Sequence, residues 1–214
     1  MTSDRRNRTF LPYPQSRLLK FPLRLRLRLG YLILFASLAS SAQADVVINE
    51  LMVHPASVDG REPIEEEFIE LWNRGETAVE LGGWQFDRGV RFVFPAFTLK
   101  AGAFVVVAAD PSRFAQAALG PWQGRLSNSG ESVRLIDSDG GIIDRVHYTD
   151  SGDWAKRRQI SLAGQLGWEW MAPFDGDGYS LELADPDFSN NHGQNWASST
   201  VLGGSPGLLN GQFT

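Results

Sequence analysis

The 214-residue sequence contains no cysteine. That absence excludes thiol nucleophiles, cysteine-ligated zinc, iron–sulfur clusters and any disulfide support. Histidine is scarce as well. His54, His147 and His192 stand far apart, and their spacing does not suggest a three-histidine zinc site. There is no GxSxG elbow, no HExxH helix and no P-loop. Helical periodicity is almost absent, and no internal repeat is evident. A chain without disulfides must be held by its core, and about 170 residues beyond the N-terminal segment are enough for one domain with a real core.

The long hydrophobic run that a membrane span needs is also missing. The one apolar run, LGYLILFASLA at 29–39, is shorter than the ~20 residues of a helical span. It follows a basic stretch with eight Lys and Arg against Asp4, and it closes on SSAQA, a small-x-small pattern. Residues 1–44 therefore read as a cleavable secretory signal peptide. This gives an expected location in a periplasm, at the cell surface or outside the cell, with no membrane span after cleavage. Without residues 1–44 the chain keeps 12 Lys and Arg against 24 Asp and Glu, a net charge near −12. An acidic domain repels phosphate backbones, so no nucleic-acid partner is expected.

What is present is a series of short apolar or alternating runs: VVINELMV (46–53), EFIELWN (67–73), WQFD (84–87), RFVFP (91–95), AFVVVAAD (103–110), ESVRLID (131–137), GIIDRVHY (141–148) and YSLELAD (179–185). Gly, Asn and Asp turn signals separate them. Such spacing predicts an all-β sandwich or barrel. One short helix is predicted over 111–119, with Asp110 as N-cap and Pro111 at the first helical position. Residues 45–150 read as the sandwich proper, and 151–214 as a looser extension that adds at least one strand and wraps the body. Strand 46–53 is a candidate edge open to another chain, and the oligomeric state is left open.

The candidate chemistry is acidic. EPIEEEFIELWN at 62–73 holds five glutamates. Alternation places Glu67, Ile69, Leu71 and Asn73 on one strand face and Phe68, Glu70 and Trp72 on the other. In the first strand it places Ile48, Glu50 and Met52 together. Glu62, Glu65 and Glu66 precede the second strand on a loop. The favoured expectation is a solvated sheet face or edge. The alternative pairs Glu50 with Glu70 across the strands, as a calcium-binding or hydrolytic carboxylate pair. A second cluster, Asp175, Asp177, Asp185 and Asp187, reads first as turn residues and alternatively as calcium ligands for a calcium-dependent adhesion module. The KRR run at 156–158 reads as a solvated loop. Most of the seven tryptophans read as core. Trp168 and Trp170, on one face of the extension, are the candidate exposed binding pair. The 54–66 loop and the 151–178 extension are the candidate contact regions.

INEL at 48–51, FIELWN at 68–73, LGGWQF at 81–86, FVFPAFTLKAGAFVVVAAD at 92–110, LSNSGESVRLIDSDGGIIDRVHY at 126–148 and the tail SLELADPDFSNNHGQNW…GGSPGLLN together resemble a bacterial lamin-tail domain. The resemblance covers about 45–148, with a tail after 179 similar to that of secreted members. It implies an immunoglobulin-like β-sandwich. It also implies a non-enzymatic structural or interaction module, with a protein or polysaccharide partner at the cell envelope and no cofactor other than the calcium alternative.

Overall fold

A computed structural model of the protein describes residues 46–212. The signal-peptide reading of residues 1–44 lies outside them. Among the described residues there is no α-helix, only four single 3-10 turns. No helix there is long and apolar enough to cross a membrane.

Fourteen strands carry the fold. In chain order they are β1 (Val46–Met52), β2 (Phe68–Asn73), β3 (Val79–Glu80), β4 (Gln85–Arg88), β5 (Phe92–Val93), β6 (Thr98–Leu99), β7 (Phe104–Ala108), β8 (Ala118–Leu119), β9 (Gly130–Ile136), β10 (Ile142–Thr149), β11 (Lys156–Leu162), β12 (Gln165–Met171), β13 (Leu181–Leu183) and β14 (Trp196–Ser198). A six-stranded sheet runs β14-β13-β1-β2-β7-β8 and a four-stranded sheet runs β10-β9-β4-β5. They are the two layers of a β-sandwich, as the turn spacing implied, and of the immunoglobulin-like kind that the family resemblance implied. One contiguous core between them holds Ile48, Leu51, Ile69, Leu71, Phe86, Val107, Val133, Leu135 and Tyr148, all buried.

The strand expected to be an edge is interior. β1 is bonded to β2 on one side and β13 on the other. Residues beyond 150 supply the neighbour that closes its open side, with β13 and then β14 completing the sheet. A bulge between Ile48 and Glu50 shifts the alternation of β1. Ile48 therefore packs in the main core with Leu51 and Val53, while Met52 joins Phe68, Val106 and Ala108 on the opposite face. Simple alternation placed Ile48 and Glu50 on one face, and the bulge puts them on opposite faces. Asp144 of β10 enters at this bulge. Its Oδ2 accepts from the Ile48 amide at 2.7 Å, and its carboxylate also accepts from Asn190.

The predicted helix over 111–119 is a single 3-10 turn, Pro111–Arg113, followed by β8. The cap forms as expected, with the Ser112 amide donating to Asp110 Oδ1 at 3.0 Å. Phe114 then turns extended and its ring meets Phe68 edge-on at 5.6 Å. Burial of that ring against the sheet outweighs the weak helical tendency of a short segment.

Candidate functional site

Two regions gather the residues singled out by the sequence. The first lies on the face of the six-stranded sheet away from the main core. Glu50 stands opposite Glu182 on one side and Glu70 on the other, and Glu70 stands opposite Val106. Three carboxyls thus form one row across three adjacent strands. All three are fully buried at 0 % exposure. The favoured expectation of a solvated acidic face is therefore overturned for Glu50 and Glu70, because a segment far along the chain lies over them.

That segment is the tail, GGSPGLLN at 203–210. Glu50 Oε1 accepts from the Ser180 hydroxyl at 2.5 Å and from the Ser205 amide at 2.8 Å. The Ser205 hydroxyl donates to Glu182 Oε1 at 2.8 Å. Glu70 Oε2 accepts from the Gly207 amide, and its Oε1 accepts from Asn49 Nδ2 at 2.8 Å. Asn49 Nδ2 also donates to Asn210 Oδ1 at 2.8 Å, and Asn210 Nδ2 donates to the Leu183 carbonyl at 2.9 Å. A Cβ at Gly204, whose φ is +76°, would collide with Glu50 Oε1 and the Ser180 side chain. The tail backbone is therefore seated on the carboxyls with no room for a side chain at that point.

Burial sets the protonation of the row. It disfavours the charged form and lifts Glu50 to about 7 against the lowering effect of its Ser180 and Ser205 hydrogen bonds. Burial lifts Glu70 to about 8, opposed by Gly207 and Asn49. Glu182 is raised for the same reason. Glu67, on the core-side face, is lifted to about 7 by burial and accepts from the Leu126 amide at 2.9 Å. Such a row holds at least part of its protons at neutral pH. The hydrolytic alternative needed Glu50 and Glu70 in a cleft. Here each carboxyl binds its own chain and is sealed from solvent, so substrate and water have no approach. A surface groove of about 530 Å³ does lie beside the row, lined by Met52, Phe68, Phe114, Leu202 and Pro206, together with Pro55 and Ala56 of the 54–66 loop.

The loop glutamates make surface ion pairs, Glu65 with Arg61 and Glu66 with Arg113. The four aspartates fall in two pairs, Asp175 and Asp177 along one depression and Asp185 and Asp187 in one turn. Asp175 meets His54 Nδ1 at 2.6 Å. Asp177 lines a shallow depression at the foot of β12 with Asp150 and Glu169. Asp185 accepts from the Asp187 amide at 2.8 Å in a side-chain turn, and Asp187 pairs with Arg74. Among the described residues no three His, Asp or Glu side chains converge in a set that could hold a metal ion.

The second region is the hairpin β11–β12. The segment read as loose, with KRR in a solvated loop, is a regular seven-pair antiparallel ribbon from Lys156↔Met171 to Leu162↔Gln165. Its two-residue turn, Ala163-Gly164, has φ of 51° and 80°, the positive values of a type I′ turn. Trp168 and Trp170 project from one face of β12, each 56 % exposed. Arg157 of β11 lies over them, its guanidinium 4.3 Å from the Trp168 ring centroid and 6.0 Å from that of Trp170. On the other face Arg158 pairs with Glu169.

The sequence reading missed Glu182 and the tail donors. A signal was present, because the dipeptide Glu-Leu recurs in INEL, FIEL and SLEL, at 50, 70 and 182, once in each strand of the row. The alternation Leu166, Trp168, Trp170 with Gly167 and Glu169 between was the missed sign of β12.

No curated protein matches the chain. The family model described as Lamin Tail Domain matches residues 39–150, which is half of the sequence and includes Glu50 and Glu70 but neither the hairpin nor Glu182. A lamin tail domain is an immunoglobulin-like interaction module and is generally non-catalytic. The two-layer β-sandwich and this match agree: the chain belongs to the lamin tail domain family.

Proposed function

We propose that the protein is an exported, non-enzymatic binding module that engages a protein or polysaccharide partner at the cell envelope or surface, with the β11–β12 hairpin as its contact element. One observation carries this reading: two tryptophans stand side by side on an exposed strand face, where the core gains nothing from them. Exposed aromatic rings with a cationic neighbour are what ring-stacking recognition of sugars and aromatic anchoring of proteins both use. The family supports a module without chemistry of its own. The buried carboxyls support it too, since their hydrogen bonds are spent on holding the tail. Export rests on the basic, apolar and small-residue pattern of residues 1–44.

The test is retention of the protein on suspensions of purified cell-wall material, chitin and cellulose, compared with a Trp168→Ala/Trp170→Ala variant. Retention lost in the variant supports the hairpin as a polysaccharide contact. Retention that survives both substitutions removes the hairpin from the reading. No retention of the parent on any of the three removes the polysaccharide arm and directs the search to protein partners.

A further inference from the structure

The hairpin has two open edges. Among the described residues β11 and β12 pair only with each other, and no backbone hydrogen bond joins residues 156–171 to the rest of the fold. A lone two-stranded ribbon is marginal in water, and an unpaired edge is a template for another strand. The two edges are not equivalent. β11 carries Lys156, Arg157 and Arg158, so pairing it with its own copy would bring six cations together. β12 reads QLGWEWM and carries one charge, Glu169, already paired with Arg158.

The order of residues in β12 is symmetric about Trp168. A two-residue type I′ loop makes Leu162–Gln165 a hydrogen-bonded pair, and bonded pairs then alternate along the ribbon. The amides and carbonyls of Leu166, Trp168 and Trp170 are therefore the ones turned toward the open edge. An antiparallel two-fold contact centred on Trp168 would use all of them. It would set Trp168 opposite Trp168 of the second copy, and Leu166 opposite Trp170 of the second copy, twice. Glu169 would face Gly167, where no like charge stands. These are aromatic and aliphatic cross-strand pairs of the stabilising kind, and Leu166 is 74 % exposed in the single chain.

We infer that the protein forms a two-fold dimer through the β12 edge, joining two hairpins into one four-stranded sheet, β11-β12-β12-β11. The contact is isologous and closed, so it stops at two copies. It makes one continuous face with four tryptophans and two copies of Leu166, flanked by the two Arg157 side chains. The inference rests on the strand edge and holds whether or not that face binds a polysaccharide.

The experiment is sedimentation velocity of the purified protein over a concentration series, with Trp168→Glu and Trp168→Lys variants. The parent is expected to sediment as a concentration-dependent dimer. Each variant places like charges opposite each other at the dyad and is expected to be a monomer. An equimolar mixture of the two places opposite charges there and is expected to recover the dimer. Thermal melts of each variant confirm that the sandwich body is intact. A parent that stays monomeric throughout the series overturns the inference. So does a dimer that both variants retain, which would place the contact elsewhere.

Discussion

The carboxyl row and the hairpin invert the usual distribution of side chains. Three glutamates are fully buried, while two tryptophans stand half in water. The difference lies in what covers each strand. β1, β2 and β13 are interior strands with a tail laid over one face, and that tail supplies amides and hydroxyls to the acids. β12 has one strand neighbour, and only the Arg157 side chain of its own hairpin lies over its aromatic face. Buried polar groups are retained where hydrogen bonds meet them, and the β12 aromatics stay exposed because no other segment of the chain is laid over them. The first region is finished by its own chain and the second is not.

The comparison can be broken most forcefully at the tail. Ending the chain after Leu202 uncovers Glu50, Glu70 and Glu182 together and removes the Ser205 and Gly207 donors. The expected loss is roughly 3–5 kcal/mol in urea unfolding. Gly204→Ala is the milder form of the same damage. It forces a methyl group against Glu50 from a left-handed backbone position, and roughly 1–3 kcal/mol is expected, read as a lower thermal midpoint.

The pH dependence sharpens the contrast further. Glu50, Glu67 and Glu70 have folded-state values near 7, 7 and 8, above the ordinary carboxylate range. The folded protein thus holds protons that the unfolded chain has released. The stability these groups contribute is present below about pH 4.5 and is lost as pH rises through 7 to 8. The thermal midpoint should therefore fall between about pH 5 and pH 8, and Glu70→Gln should flatten that slope. A midpoint that rises over the same window would refute the assignment of a raised value to the row.

The hairpin should behave in the opposite way. Trp168→Ala/Trp170→Ala should leave the unfolding free energy of the sandwich within about 0.5 kcal/mol, because the rings cover none of its core. The smallest effect is expected from calcium. With Asp175 on His54 and Asp187 on Arg74, millimolar calcium and excess chelator should give the same midpoint. A shift of several degrees would mean that the aspartates rearrange into a site.

The sandwich was legible because period-two runs and Gly-Asp turns are local signals. The Glu50–Glu70 pairing was legible as an alternative for the same reason, since neighbouring strands of equal pattern fall into register. Burial was not. Whether a glutamate in a strand is wet depends on residues 155 positions away, and no local pattern carries that. The bulge at Ile48 was equally hidden, because it answers to Asp144 on the other sheet. The short helix failed where Phe114 found a partner in Phe68. The tryptophan pair was visible as a pair, but the regular ribbon beneath it was obscured by the basic run that opens β11.

The contact between Ser205 and Glu50 spans 155 residues. A chain that leaves the ribosome N-terminus first presents β1 and β2 long before the tail that seals them. Until then three acids lie open and charged on a sheet that cannot close over them. The last stretch to arrive sets the moment at which the domain locks.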